Sequence, residues 1–155
     1  MFVVDAMGSL EAATLGDILA SRILTRGAAG IVSDGCVRDS PYIKRMAIPV
    51  YTRGVHPAAN TSALLPYAHN DVIQCGGVTV VPGDVLLGDE EGVVVIPARL
   101  AAELAEYGPQ HEDQEVFQRQ KILEGRPVAE VYPMTDALRA EYVAHLRGQP
   151  SGPGE

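Results

Sequence analysis

A strand, a helix and a second strand follow one another near the start of the chain, and this succession limits the fold more than any other feature. Phe2-Val3-Val4-Asp5 reads as a buried strand and Gly8-Ser9-Leu10-Glu11 as a loop. Gly16 to about Arg26 carries an apolar stripe at helical spacing (Ile18, Leu19, Ile23, Leu24), and Gly27 ends it. Gly30-Ile31-Val32-Ser33-Asp34 reads as the next strand, with Gly35 as the turn after it. Parallel strands joined by a crossover helix place the helix start and the end of the next strand on one sheet edge. The lengths agree: such a helix rises about 16 Å and the strand returns about 16 Å. Asp17, in the first helical turn, therefore faces the turn Asp34 to Asp39. This is the carboxyl edge of the strands, where open α/β sheets bind ligands.

The rest of the chain extends this α/β reading. Pro41 to Met46 predicts one or two helical turns, and Pro49-Val50-Tyr51 a third strand. Gly54 to Asn70 reads as loop. Between Val72 and Pro97 four short β-branched runs alternate with turns at Gly76-Gly77, Pro82-Gly83-Asp84 and Asp89 to Gly92, the pattern of a small antiparallel layer. Arg99 to about Glu124 is helical, with a break expected at Gly108-Pro109. Thr135 to Arg147 is a last helix, with Thr135 as its N-cap. A chain of 155 residues fits one domain, here residues 1–147. The Pro/Gly-rich stretch 148–155 is expected to be disordered.

Charge narrows the partners. Twelve Lys and Arg against 20 Asp and Glu give a net charge of −8, which argues against nucleic-acid or anionic-membrane binding. No apolar run reaches the ~18 residues of a membrane span, and the first residues do not read as a signal peptide. Cys36 and Cys75 show no metal-binding spacing. They read as free thiols of a cytoplasmic protein.

The predicted edge gathers Asp17, Asp34 and Asp39 with Arg38 and the free amides of a helix start. Carboxylates without neighbouring His or Cys suit a hard cation such as Mg²⁺ or Mn²⁺. Arg38 and the amides near Ile18 and Leu19 suit an anion, most naturally a carboxylate. A divalent metal beside an anion pocket can stabilise an enolate. The same residues also read more simply: Asp17 as a helix-dipole partner, and Arg38-Asp39 as a surface ion pair.

Asp17, the intervening residues 18–37 and then Arg38-Asp39 reproduce a specific spacing. Together with Gly16-Asp17-Ile18-Leu19-Ala20, Asp34 to Ser40, Cys75-Gly76-Gly77-Val78, Pro82-Gly83-Asp84 and Gly88 to Val93, it resembles the RraA-like family. The resemblance runs from about Phe2 to Tyr142. It is greatest to the branch of class II 4-hydroxy-4-methyl-2-oxoglutarate/4-carboxy-4-hydroxy-2-oxoadipate aldolases. It implies a swivelling β/β/α fold with layered sheets and outer helices. It further implies a lyase that cleaves a 4-hydroxy-2-oxo acid to pyruvate through a metal-bound enolate, with oxaloacetate decarboxylation as a side activity.

In that comparison Asp39 matches the single direct protein ligand of Mg²⁺ or Mn²⁺, and Asp17 a carboxylate holding one of its waters. Arg38 matches the residue that binds substrate and stabilises the enolate. Gly16, Ile18 and Leu19 match the turn that binds the pyruvyl carboxylate. Glu115, with Glu112 in reserve, matches an acid that holds another metal water from a neighbouring subunit. A homotrimer or hexamer follows from the same resemblance. The family's N-terminal segment of several strands and helices has no counterpart in this sequence, so an N-terminally short domain is expected. Gly125 to Pro133 resembles RraA-like members other than the aldolases, leaving the aldehyde or ketone product open.

The competing function is a non-catalytic RraA-like regulator that binds a ribonuclease or other protein. RraA lacks the acidic residue after the arginine, whereas Asp39 is present here. His56 and His69 read as solvated or structural loop residues, His111 and His145 as exposed helix residues, and Cys36 as a small filler.

Overall fold

The strand that organises the first half is longer than its sequence suggests. The computed structural model describes residues 1–148, and the chain divides into two compact units, Met1–Ala101 and Ala102–Glu155. In the first unit β3 (Ile31–Val37) is buried at all seven positions. It pairs in parallel with β1 (Phe2–Val4), β2 (Ala13–Leu15) and β4 (Val50–Val55). β4 runs along β3 from Ile31 to Val37, so β1 and β2 share the other edge, one at each end. A central parallel strand, covered on both faces, carries the apolar run that Ile31-Val32 begins and Cys36-Val37 ends.

Asp34-Gly35 was expected to stop this strand and does not. The buried Asp34 carboxylate accepts the backbone N–H groups of Ala6 (2.6 Å), Gly8 (3.0 Å) and Gly76 (3.4 Å). Its charge is thus met by amides from two loops, the condition under which a carboxylate is tolerated inside. Gly35 is needed for close approach, since a Cβ there would lie 2.7 Å from Ala6 Cβ. Asp34 therefore leaves the set of candidate site carboxylates and ties the loop after β1 to the hairpin at Gly76.

α1 (Asp17–Thr25) follows β2 directly and crosses to β3. Its inner face, Ala20 with Ile23 and Leu24, packs with Leu15, Ile31 and Val37 of the sheet and with Ile43 and Ile48. Ile43 lies on α2 (Ser40–Ile43), the short helix predicted after the site turn. Residues 72–97 form two separate antiparallel ribbons. One is β5 (Ile73–Cys75) with β6 (Val78–Val80), the other β7 (Val85–Gly88) with β8 (Val93–Ile96). The first is anchored beside β1, where Asp5 Oδ2 accepts the Gln74 N–H at 3.1 Å and the Cys75 thiol reaches the Val4 carbonyl at 3.6 Å. Burial raises the Cys75 pKa, and the negative charges of Asp34 and Asp5 raise it further. Both cysteines are free thiols, as expected.

α3 (Ala98–Leu123), which belongs to the second unit from Ala102 onward, continues through Gly108 and contains Pro109, so the expected break is absent. α4 (Val128–Val131), not anticipated from sequence, and α5 (Asp136–Gly148) complete that unit. Phe117, Val131, Leu138 and Tyr142 form its core. Thr135 caps α5 as predicted, its Oγ1 accepting the Leu138 N–H at 3.2 Å. Arg126 makes a two-pronged contact to Glu141 at 2.9 and 2.8 Å, and this holds the Glu141 carboxyl below its usual range. No helix among the described residues is long and apolar enough to cross a membrane. Gly148 ends α5, and the rest of the stretch expected to be disordered, 149–155, lies outside the described residues.

Candidate active site

β2 and β3 deliver four site residues to one edge. β2 ends at Leu15, Gly16 caps α1, and Asp17 is the first helical residue. β3 ends at Val37, so Arg38 and Asp39 alone make the turn into α2. The Arg38 N–H donates to the Leu15 carbonyl at 3.0 Å, which locks the two strand ends together. The predicted juxtaposition of Asp17 with Arg38-Asp39 is therefore present.

Gly16 is what permits it. A Cβ on Gly16 would sit 2.5 Å from Asp39 Oδ2 and 3.0 Å from both Cγ and Nε of Arg38. Asp39 adopts the left-handed conformation, φ 57 and ψ 30. For an L-residue this costs on the order of 1–2 kcal/mol, with Asp and Asn among the better tolerated. The Tyr42 and Ile43 amides donate to the Asp39 carbonyl at 2.9 and 3.2 Å and hold the turn. The Arg38 Nε to Asp39 Oδ2 distance is 3.6 Å, with both side chains partly exposed. A pair this open to water adds only about 0–1 kcal/mol of stability, so the strained turn is not explained by the ion pair it makes.

The helix start is less free than its sequence implies. Asp17 Oδ1 accepts the Ile18 N–H at 2.8 Å, and the first intrahelical bond runs from the Ala20 N–H to the Gly16 carbonyl at 3.0 Å. Among the described residues the Leu19 N–H has no acceptor, and it is a first-turn amide open to an anion. The Ile18 and Leu19 side chains are 75% and 52% exposed. A small cleft of about 60 Å³ opens here, lined by Leu15, Gly16, Ile18, Leu19 and Arg38 together with Ala13, Ala59 and Asn60.

Ala13, Ala59 and Asn60 were not anticipated. The strand β2 is too short to declare itself, and Gly54–Asn70 reads as featureless loop. What brings that loop over the site is backbone bonding: the His56 N–H to the Val37 carbonyl (2.9 Å) and the Ala13 N–H to the Ala58 carbonyl (3.0 Å). The His56 Nδ1 accepts the Ala58 N–H at 3.1 Å, the structural role expected of it. Cys36 is buried within β3 rather than in a turn.

Glu115 and Glu112 lie on α3 in the second unit. Glu115 Oε1 is 3.4 Å from His111 Nε2, and the other ring nitrogen of His111 meets the Tyr107 hydroxyl at 3.0 Å. Among the described residues no group of three or more His, Cys, Asp and Glu side chains could hold a metal between them. The donors at the first unit's edge are carboxylates alone. They fit a hard cation that keeps most of its water, and do not fit a softer ion that needs nitrogen or sulfur.

A family model described as "RraA-like: Aldolase/RraA" matches residues 1–95. The chain belongs to the RraA-like family. Its fold is shared with solved members. A structure from Streptomyces coelicolor, titled as RraAS2, "an unusual member of the RNase ES inhibitor RraA protein family", is 36% identical with a TM-score of 0.72 over 77% of this chain and 61% of that one. An uncharacterised protein from Pseudomonas syringae is 27% identical with a TM-score of 0.75, over 83% of this chain and 64% of that one. A Halalkalibacterium halodurans relative named "Putative 4-hydroxy-4-methyl-2-oxoglutarate aldolase" is 39% identical over 63% of this chain and 46% of its own length. This RraA-like chain spans about half to three fifths of the curated relatives it matches, 59, 46 and 61% of their lengths.

Proposed function

We propose that this RraA-like protein is a divalent-metal-dependent lyase that cleaves a 4-hydroxy-2-oxo acid to pyruvate. The observation that carries the reading is the Arg38-Asp39 turn. A left-handed Asp39 is packed against Gly16, the residue before Asp17, and the weak ion pair it makes with Arg38 does not account for that arrangement. The relatives named for 4-hydroxy-4-methyl-2-oxoglutarate aldolase activity support the same class.

Asp39 would hold Mg²⁺ or Mn²⁺ directly, Asp17 through a water, and Glu115 of a neighbouring subunit through another. When bound, the ion supplies Lewis-acid polarisation of the 2-oxo group. The chain's own residues do the rest. The substrate's carboxylate docks at the start of α1, on the Leu19 N–H and in competition with Asp17 for the Ile18 N–H. The Arg38 guanidinium binds the 2-oxo oxygen and gains strength as negative charge develops there. A water held by the carboxylates takes the 4-hydroxyl proton. The C3–C4 electron pair moves into the enolate, C4 leaves as a ketone or aldehyde, and protonation at C3 gives pyruvate. Oxaloacetate decarboxylation proceeds through the same enolate, with carbon dioxide as the departing group.

The test is pyruvate release from 4-hydroxy-4-methyl-2-oxoglutarate and from oxaloacetate, with Mg²⁺ or Mn²⁺ and with EDTA. Asp39→Asn is the informative variant, because Asn tolerates the left-handed conformation and removes only the charge. Metal-dependent pyruvate that falls at least about a hundredfold in Asp39→Asn is the expected result. A second reading rests on the RNase ES inhibitor family named for the Streptomyces relative. Absence of pyruvate from both acids, in a folded protein, would move the assignment to a non-catalytic regulator that binds a ribonuclease or other protein.

A further inference from the structure

We infer that Asn60 is a specificity-determining residue of the cleft, its side-chain amide reading the substituents on C4 of the substrate. The inference rests on the lyase reading above and deepens it. Among the residues that line the cleft, the Arg38 side chain can only donate, those of Ala13, Leu15, Ile18, Leu19 and Ala59 are apolar, and Gly16 has none. Asn60 is the neutral group there that both donates and accepts. A 4-hydroxyl offers both a proton and a lone pair, and one amide can meet both; the C4 carboxylate of oxaloacetate offers acceptors alone.

The placement of Asn60 is firm while its side chain is unused. The chain around it is pinned to the strand ends that carry the site, through the His56 N–H to Val37 carbonyl and Ala13 N–H to Ala58 carbonyl bonds. Asn60 then opens a single 3-10 turn, Asn60–Ser62. Its carbonyl accepts the N–H groups of Ala63 (3.1 Å) and Leu64 (2.7 Å), and the Ser62 hydroxyl donates to the Ala59 carbonyl at 2.7 Å. In turns, Asn commonly hydrogen-bonds its own backbone. Here the half-buried Asn60 amide has no partner among the described residues. No buried side-chain nitrogen or oxygen lacks a partner among them, so the amide is reachable from solvent. A polar group on a fixed backbone, bordering a cleft and left unpaired, is preorganised for a ligand.

Oxaloacetate supplies the control, since it lacks the 4-hydroxyl and its decarboxylation uses the same enolate. The experiment compares kcat/KM for 4-hydroxy-4-methyl-2-oxoglutarate and for oxaloacetate in wild type, Asn60→Ala and Asn60→Ser. Expected is an aldol kcat/KM lowered about tenfold to a hundredfold in Asn60→Ala and partly restored in Asn60→Ser. Retained oxaloacetate turnover in the same preparation reports an intact fold and site. Equal losses on both acids, or no loss on either, overturn the inference. Should the wild type release no pyruvate from either acid, the lyase reading falls and the hydroxy acid is not consumed. Calorimetric titration with it and with pyruvate then decides. Tighter binding of the hydroxy acid, lost in Asn60→Ala, sustains the inference, and equal affinities in the two proteins overturn it.

Discussion

At the scale of single residues, Gly16 decides the geometry of the candidate site. The three atoms nearest to a Cβ there all belong to site side chains: Asp39 Oδ2 at 2.5 Å, and Arg38 Cγ and Nε at 3.0 Å. Side chains can swing away where backbone cannot, so Gly16→Ala should fold and yet displace both groups. Misplacement of a reacting group by about 1 Å can cost on the order of a hundredfold in rate. The N-cap itself loses only about 1 kcal/mol or less when Gly becomes Ala. We expect pyruvate release to fall at least about tenfold, with a melting temperature within a few degrees of wild type. A Gly16→Ala protein with full activity would remove Arg38 and Asp39 from the mechanism. The juxtaposition of Asp17 with Arg38-Asp39 could be read from sequence because α1 and the start of β3, which lie between them, both show in the local pattern and have matching lengths. Asn60 could not, because its position is set by backbone bonds from a loop to β2 and β3, and no local pattern encodes those.

Elements were legible in proportion to their length and to the agreement of their local signals. α1, α3, α5 and the four strands of the two ribbons all follow from periodicity and turn residues. β2 and α4, at three and four residues, are too short for a period. Asp34-Gly35, a strong turn signal, predicts an end that β3 does not have, because the three loop amides that bind the Asp34 carboxylate come from residues 26 to 42 positions away in sequence. α3 is the converse case. Gly108-Pro109 predicts a break, and the helix runs through it. Pro109 lacks the N–H that would bond the Ala105 carbonyl, a loss that length and neighbouring turns must offset. Gly108 has no positive φ, and a Cβ there would meet nothing within 4 Å. Gly108→Ala should therefore stabilise the second unit by about 0.5–1 kcal/mol. Differential scanning calorimetry should register an upward shift of that unit's transition of about 4–8 °C per kcal/mol. A lowered transition would mean that the helix bends at Gly108 in solution.

At the scale of the whole molecule, the distribution of exposed apolar side chains bears on assembly. Ile18 and Leu19 stand exposed beside the cleft, and Leu87 (67% exposed) is paired across β7–β8 with Val94 (63%). A two-stranded ribbon is marginal by itself, and an outward apolar cross-strand pair stabilises it best when something covers the pair. The net charge of −8 opposes indiscriminate association, so any self-association must come from fitted surfaces rather than general stickiness. The family resemblance implies a homotrimer or a dimer of trimers, and such an assembly is expected to cover these apolar side chains. This is also the arrangement in which Glu115 of one subunit could serve the Asp17–Asp39 edge of another. Light scattering at micromolar concentration should give three or six times 16.5 kDa. Leu87→Asp should reduce that mass, and pyruvate release should fall with it. A monomer that still releases metal-dependent pyruvate would strip Glu115 of its role and confine the chemistry to Asp17, Arg38 and Asp39 within one chain.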